Sequence, residues 1–314
     1  MRITAVVVTY NRLAKLRQTV EATLSQSVDR LIVVDNACTD GSSDWLASLD
    51  DPRLTVLRLP ENIGGAGGFH HGFAAAIQEM STDWLVCYDD DAWPQAGAID
   101  AFRAMTLPAD VAGVAAAVYL PDGQISEMNR PSLNPFASLR QMASVALGGR
   151  MGFHVKNEAY AATGLVDIDY SSFVGCFLRV PVIRERLGLP RAELFIYADD
   201  IIYTFGIRQQ GLRHVFAPTV KFTHDCGTLQ AQQDIYKPLW RAFYSYRNRL
   251  ELFRIVSGRL FPLVLLIKLP SWVAKAPHYD KPSLFLRVLW SAVSEGVRRD
   301  FSRSHAQVRA ICEE

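Results

Sequence analysis

The chain has 314 residues, of which 49% are hydrophobic and 21% are charged. This composition is typical of a folded globular protein and excludes a largely disordered one. The 33 Lys and Arg residues balance 32 Asp and Glu residues, so the net charge gives no reason to expect a nucleic-acid partner.

The cysteines and the apolar segments predict where the protein works. Five scattered cysteines contain no C-x-x-C pair, which is typical of reduced thiols in a cytosolic protein. The apolar core of the N-terminal segment is too short for a signal peptide. The stretch 260–273 is interrupted by Lys268 and Pro270 and is too short for a membrane span. We therefore expect a cytoplasmic protein, either soluble or bound peripherally to the cytoplasmic face of the inner membrane.

The first 95 residues alternate between strand and helix patterns. Continuous apolar or β-branched runs at 3–9, 31–34, 53–59 and 83–88 predict buried strands. Helical patterns separate them, and the first shows helical spacing at Leu13, Leu16, Val20 and Leu24. Four such alternations are the signature of an α/β protein with an open, doubly wound parallel sheet.

Polar residues follow each of these four strands. They are Thr9–Asn11, Asp35–Asn36, Glu61–Asn62 and Asp89–Asp91. Ligands of such sheets bind outside the carboxyl ends of the strands. The four polar clusters are therefore predicted to meet at one edge.

The regular alternation of strand and helix patterns ends after residue 95. A fifth strand is predicted at 111–119, a loop-rich stretch at 121–165, and further strands near 169–180 and 213–224. From Trp240 onward the chain is predicted to be helical, with many aromatic and basic residues.

The run Asp89-Asp90-Asp91 directly follows an apolar strand. Oxygen ligands placed this way suit Mg²⁺ or Mn²⁺, and a cation would remove their mutual repulsion. An EF-hand is excluded because its sixth position would be Pro94 and its twelfth Asp100. The alternative is a solvated turn in which an aspartate caps a helix beginning at Pro94.

Three further motifs are each ambiguous alone. The glycine-rich segment 62–69 would expose amides to a phosphate, but it matches neither the dinucleotide fingerprint nor the P-loop, and it could be a ligand-free turn. Asp199 and Asp200 could cap a helix, or one of them could act as a general base. His224 follows a predicted strand and is either a metal ligand or a structural histidine.

The ordered set of these motifs resembles the inverting family 2 glycosyltransferases of GT-A fold. The resemblance covers roughly residues 1–230. It is carried by the segments VVVTYNR, IVVDNACTDGS, ENIGGAGGF, DDD in place of D-x-D, and LFIYADDIIYTFGIRQQG. The motif NxGGxGGF and the three consecutive aspartates are most similar to the galactofuranosyltransferase and rhamnosyltransferase branch, and the three aspartates favour galactofuranose.

The resemblance implies the fold and domain organisation. We expect a Rossmann-like, mostly parallel open sheet flanked by helices over residues 1–230. Residues 1–120 would bind the nucleotide-sugar and residues 121–230 would provide the acceptor and base half. Residues 231–314 would form a helical C-terminal region.

The resemblance also implies roles for individual residues. Asp200, ahead of Asp199, would be the catalytic base, and Asp91 and His224 would be ligands of Mn²⁺ or Mg²⁺ at the diphosphate. The expected donor-binding residues are Thr9, Asn11, Asp35 and Asn36 at the nucleoside, Asn62, Gly64 and Gly65 against the nucleotide-sugar, Asp89 at the ribose or sugar side, and Asp90 at the sugar.

The activity implied is transfer of galactofuranose from UDP-galactofuranose to a hydroxyl of a lipid-linked bacterial surface glycan. The alternatives are rhamnosyl transfer from dTDP-rhamnose and a catalytically silent nucleotide-sugar binding protein. The segments WRAFYSYRNRLELFR and FPLVLLIKLPSWVAK combine aromatic, leucine and basic residues. They predict a surface for a membrane or a lipid-linked acceptor, with an ordinary packed helical subdomain as the alternative.

Overall fold

The computed structural model describes residues 1–226 and 235–313. Its centre is a nine-stranded sheet. The strands are β1 (Ile3–Thr9), β2 (Arg30–Asp35), β3 (Leu54–Arg58), β4 (Trp84–Asp89), β5 (Ala92–Pro94), β6 (Val111–Tyr119), β7 (Val166–Ile168), β8 (Cys176–Arg179) and β9 (Arg213–His224).

Helices connect these strands and follow the last of them. They are α1 (Leu13–Leu24), α2 (Ser42–Ala47), α3 (Gly64–Gln78), α4 (Ala98–Arg103), α5 (Leu139–Gly148), α6 (Asn157–Tyr160), α7 (Val180–Val182), α8 (Asp199–Gln209), α9 (Trp240–Ser257), α10 (Phe261–Val273), α11 (Pro282–Arg298) and α12 (His305–Glu313). The four predicted strands and intervening helices of the first 95 residues are confirmed, as are the strand at 111–119 and the helical C-terminal region.

The sheet is mixed, with strand order β3-β2-β1-β4-β8-β6-β9-β5, and β7 paired to β9. Strands β3, β2, β1 and β4 are parallel, as the alternating pattern predicts. Strand β8 lies between β4 and β6 and is antiparallel to both. The predicted α/β class is confirmed, and the parallel arrangement is interrupted where the strand–helix alternation of the sequence stops.

Both faces of the sheet are buried. Along β1, Ile3, Ala5 and Val7 join one hydrophobic cluster, whereas Val6 and Val8 join another on the opposite face. Helix α3 covers the second face at close range, because Cβ atoms added at Gly68 and Gly72 would lie 2.4 Å from Val8 and Val6 side-chain atoms. Gly68 lies against Val8 and Gly72 against Val6, so α3 runs antiparallel to β1. The N-terminus of α3 therefore lies beside the carboxyl ends of the strands.

Strand register brings the polar strand ends together, as predicted. Thr9 pairs with Asp35, Val8 pairs with Asp89, and Ala92 pairs with His224. The pairing of Ala92 with His224 belongs to β5, which ends at Pro94. The alternative interpretation of the three aspartates required a helix to begin at Pro94. Helix α4 begins only at Ala98, so the helix-cap interpretation of the three aspartates is wrong.

The C-terminal helices build a hydrophobic cluster of their own. Helix α9 packs on α11, and the cluster also takes in Phe195, Ile196 and Tyr197, which precede α8. Within residues 1–226 and 235–313, no helix combines the length and apolar character needed to cross a membrane. The predicted domain boundary between residues 230 and 231 lies outside the described residues.

Candidate active site

The carboxyl end of β4 carries the centre of the site. Asp89 is half-buried, while Asp90 and Asp91 are 5% and 6% exposed. Ligand atoms of Asp89, Asp91 and His224 all lie within 4.8 Å of one another. Asp91 Oδ1 is 3.1 Å from His224 Nε2. The structure therefore brings together both predicted metal ligands and adds Asp89 to them.

A residue that sequence reasoning missed orients the histidine. Asn129 Oδ1 accepts a hydrogen bond of 2.7 Å from His224 Nδ1. The amide of Asn129 is itself held by Ser126 Oγ at 2.7 Å and Ser172 Oγ at 2.9 Å. Because Nδ1 donates to Asn129, Nε2 is the ring nitrogen that faces the carboxylates and that would be available to a metal there, as is typical of a metal-binding histidine.

The charges in this cluster are poorly balanced without a cation. Burial, followed by the charge of Asp91, raises the pKa of Asp89 to about 7. Burial disfavours a charged His224, but its hydrogen bond to Asp91 and the charges of Asp91 and Asp89 raise its pKa overall. The carboxylates thus attract positive charge to the space in front of Nε2. Two carboxylates and one imidazole fit a divalent cation such as Mn²⁺ or Mg²⁺.

Arg12, which sequence reasoning also missed, is the cation nearest the cluster. Its Nη1 is 2.5 Å from Asp91 Oδ2 and 3.5 Å from Asp90 Oδ1. Burial alone would raise the pKa of Asp91, but His224 and Arg12 together bring it below its ordinary value. Arg12 ends the segment VVVTYNR, so this contact ties the end of β1 to the end of β4.

Asp90 is not one of the three clustered ligands. Its Oδ2 accepts hydrogen bonds from Thr9 Oγ1 at 2.8 Å and from the Tyr10 amide at 3.3 Å, and its main-chain oxygen accepts one from Thr19 at 2.8 Å. These contacts brace the loop after β1. The expected contacts of Asp90 with the sugar and of Thr9 with the nucleoside stay predictions, and both side chains are already engaged with each other here.

The predicted nucleoside residues surround the turn after β2. Asp35 is fully buried and accepts from the Cys38 amide at 2.8 Å, from Ser43 Oγ, and from Arg58 Nε at 3.4 Å. Burial raises its pKa, but these donors bring the pKa below the ordinary value. Asn11 Oδ1 accepts a hydrogen bond of 2.7 Å from the Thr39 amide. The loops after β1 and β2 are thus fixed to each other.

The glycine turn lies next to this region. Asn36 Nδ2 donates to Asn62 Oδ1 at 3.1 Å and to the Gly64 oxygen at 3.0 Å. Gly64 has a φ of +78°, and a Cβ there would lie 2.1 Å from the Phe195 oxygen, whereas one on Gly65 would meet nothing within 4 Å. The turn therefore requires glycine at position 64 and leaves open space beside position 65.

The two acids at the start of α8 differ in their electrostatics. Burial and the charge of Asp200 raise the pKa of Asp199 well above its ordinary value. Burial raises the pKa of the half-buried Asp200 to about 6, with backbone hydrogen bonds, first that of Ile201, working against it. Of this pair, Asp200 is therefore the acid that ionises more readily. The charge of Asp200 also raises the pKa of Asp89, which places the two carboxyls within electrostatic reach.

The family model described as "Glycosyl transferase family 2" matches residues 4–162, about half of the chain. The protein belongs to glycosyltransferase family 2. The galactofuranosyltransferase GlfT1 of Mycolicibacterium smegmatis is 27% identical to this glycosyltransferase over 263 residues, covering 79% of this chain and 81% of the relative. GlfT1 of Mycobacterium tuberculosis is 28% identical over 261 residues, covering 78% and 80%.

Solved structures show the same fold at low identity. GalNAc-T7 with UDP, GalNAc and Mn²⁺ superposes with a TM-score of 0.55 at 12% identity, covering 83% of this glycosyltransferase and 52% of GalNAc-T7. The chain thus spans about half the length of that structure. The mannosyltransferase PcManGT of Pyrobaculum calidifontis, in complex with GDP-Man and Mn²⁺, gives 0.51 at 17% identity, covering 99% and 84%. The fold of this family 2 glycosyltransferase is therefore GT-A.

Proposed function

We propose that this glycosyltransferase moves galactofuranose from UDP-galactofuranose to a hydroxyl of a bacterial surface glycan, with inversion at the anomeric carbon. The observation that carries the proposal is the cluster of Asp89, Asp91 and His224, within electrostatic reach of an ionised Asp200. The choice of donor sugar is supported by the two relatives named as galactofuranosyltransferases, each matched over about four-fifths of its length.

Asp89, Asp91 and His224 would hold Mn²⁺ or Mg²⁺. When bound, the cation would neutralise the donor diphosphate and stabilise the departing UDP. The carboxylates themselves cannot bind a diphosphate, because both are anionic. Asn129 keeps His224 in the orientation that this site needs. Asp35, Asn36 and the glycine turn would hold the nucleoside and sugar side of the donor.

Asp200 would act as the general base. It would take the proton of the acceptor hydroxyl while the acceptor oxygen forms a bond to the anomeric carbon. The bond from that carbon to the diphosphate oxygen breaks, and UDP leaves with the electron pair. A single displacement of this kind inverts the anomeric carbon and needs no covalent enzyme intermediate.

Helix α10 supports the proposal that the acceptor is lipid-linked. Leu263, Leu266 and Ile267 are 52%, 71% and 62% exposed on this helix, and the neighbouring Arg259 and Lys268 are also exposed. We call these five residues the α10 surface. An apolar stripe flanked by cations is suited to the interface of an anionic membrane, where the leucines enter the acyl boundary and the cations meet the headgroups.

The donor sugar is tested by incubating the protein with UDP-galactofuranose, dTDP-rhamnose or UDP-glucose and a panel of octyl glycosides, with and without MnCl₂. We expect nucleoside diphosphate release and a glycosylated product with UDP-galactofuranose, at a rate at least about tenfold higher than with the other donors. Mass spectrometry of the product and UDP release are the measurements. A preference for dTDP-rhamnose would establish the rhamnosyltransferase alternative, and donor binding without turnover would establish a silent binding protein.

The base is tested with two isosteric variants. Asp200→Asn removes the proton acceptor, and we expect turnover to fall by about 100-fold or more. Asp199→Asn is the matched control, because burial favours the neutral form of Asp199, which asparagine imitates, and its turnover should stay within about threefold of wild type.

The same assignment predicts the pH dependence. Asp200 must be ionised to accept a proton, so turnover of the wild type should be low below pH 6 and rise to a plateau as the pH passes about 6. A larger loss in Asp199→Asn than in Asp200→Asn, or a profile without this acidic limb, would contradict the role of Asp200.

The α10 surface is tested by sedimentation with vesicles of phosphatidylglycerol and phosphatidylcholine. We expect the wild type to bind anionic vesicles, and the variant Leu266→Glu/Ile267→Glu to lose about tenfold or more in affinity because two exposed apolar side chains no longer enter the membrane. Leu139→Glu/Leu147→Glu is the control, since those leucines are 83% and 91% exposed on α5. Equal losses in both variants would contradict a specific membrane surface.

A further inference from the structure

The segment that leads into the proposed base has an unusual backbone. We call Leu194–Ala198 the approach segment. Phe195, Tyr197 and Ala198 have φ values of 63°, 71° and 62°, in the left-handed region that non-glycine residues rarely adopt. Such residues persist only where the surroundings impose the conformation, and they cluster at functional sites. The approach segment therefore needs a structural element that holds it.

That element is one asparagine of the C-terminal region. Asn248 lies on α9 and is completely buried. Its Nδ2 donates to the main-chain oxygens of Leu194 at 2.8 Å, Ile196 at 2.9 Å and Tyr197 at 3.1 Å. One amide group thus gathers three carbonyls of the approach segment around a single nitrogen, a set of contacts that a hydrophobic side chain cannot make.

The neighbouring Arg247 fixes the orientation of this amide. Arg247 Nε donates to Asn248 Oδ1 at 3.0 Å, and its Nη2 donates to the Glu193 oxygen at 2.9 Å. The guanidinium is buried against aromatic rings of Phe243, Tyr244 and Phe301 at 4.9–5.4 Å. Because Arg247 occupies the oxygen of the amide, the nitrogen of Asn248 can only face the approach segment.

The opposite side of the approach segment contacts the glycine turn. The Phe195 oxygen accepts from the Ala66 amide at 3.1 Å and lies where a side chain at position 64 would be. At its end, the Ala198 oxygen accepts the Ile202 amide at 2.9 Å and so begins α8. The approach segment thus joins α9, the donor-side turn and the helix that carries Asp200.

We propose that Asn248, oriented by Arg247, is a positioning residue that holds the approach segment in its left-handed conformation and thereby places Asp200 relative to the glycine turn. This role rests on the proposed function of Asp200 as the base. It makes helix α9 part of the catalytic unit, because α9 would act on the reaction through the approach segment.

The test uses Asn248→Asp, which keeps the shape of the side chain and replaces its donor nitrogen by an acceptor oxygen. We expect kcat with UDP-galactofuranose to fall by about tenfold to a hundredfold, because small displacements of a catalytic group have effects of this size. The Kd for UDP in MnCl₂, measured by calorimetry, should change by less than about threefold, because the nucleoside residues are untouched. Amide hydrogen exchange of peptides covering 193–201 should become faster.

Leu289→Ala is the matched control. Leu289 is fully buried in the same helical cluster but makes none of these hydrogen bonds, so its removal destabilises the C-terminal helices without releasing the three carbonyls. We expect wild-type kcat per folded molecule and unchanged exchange over 193–201. If Asn248→Asp does not fold, Arg247→Lys removes the donor that orients Asn248 and should show the same changes to a smaller degree.

The proposal is overturned if Asn248→Asp keeps wild-type turnover and exchange, or if Leu289→Ala reproduces both changes. Failure of the proposed function gives a different result. In that case the wild type transfers no sugar, and the exchange difference between Asn248→Asp and Leu289→Ala still decides whether Asn248 holds the approach segment.

Discussion

The electrostatic repulsion between carboxylates at the end of β4 is the constraint on which the site depends. The charges of Asp91 and Asp200 both act on Asp89, and burial further disfavours the ionised form of Asp89. Arg12 and His224 compensate part of this charge at Asp91. The remaining deficit of positive charge is the reason why we propose a divalent cation at this site and, through it, a diphosphate.

The surrounding structure holds these groups from distant parts of the chain. The register of β5 with β9 brings Asp91 to His224, and Asn129 holds the imidazole from a loop between β6 and α5. On the other side, Asn248 holds the backbone that leads to Asp200. His224 and the backbone before Asp200 are thus each held by a neutral amide distant in sequence, and amides can do this without adding to the charge imbalance.

The sequence was sufficient to predict strands β1 to β4 and the acidic residues and histidine of the candidate site, but not Arg12 or the amides that orient these groups. Strands β1 to β4 follow from local periodicity, and Asp91 and His224 from a family resemblance. Asn129 and Asn248 act through tertiary hydrogen bonds across 95 and about 50 residues, which no local pattern reveals. The short strand β5 was also missed, because three residues carry too little periodicity and Pro94 suggested a helix. The sequence also could not separate Asp90 from its two neighbours, because only the structure shows that it hydrogen-bonds to Thr9 and Tyr10 while Asp89 and Asp91 join the cluster.

The most direct test of the account is the dependence of UDP binding on Mn²⁺, measured by calorimetry for the wild type, Asp91→Asn and the exposed control Asp110→Asn. If the carboxylate cluster exists to hold a cation at the diphosphate, MnCl₂ should raise the UDP affinity of the wild type and of Asp110→Asn by about tenfold or more and leave that of Asp91→Asn unchanged. Equal UDP affinity with and without Mn²⁺ in the wild type, or an undiminished Mn²⁺ effect in Asp91→Asn, would contradict it.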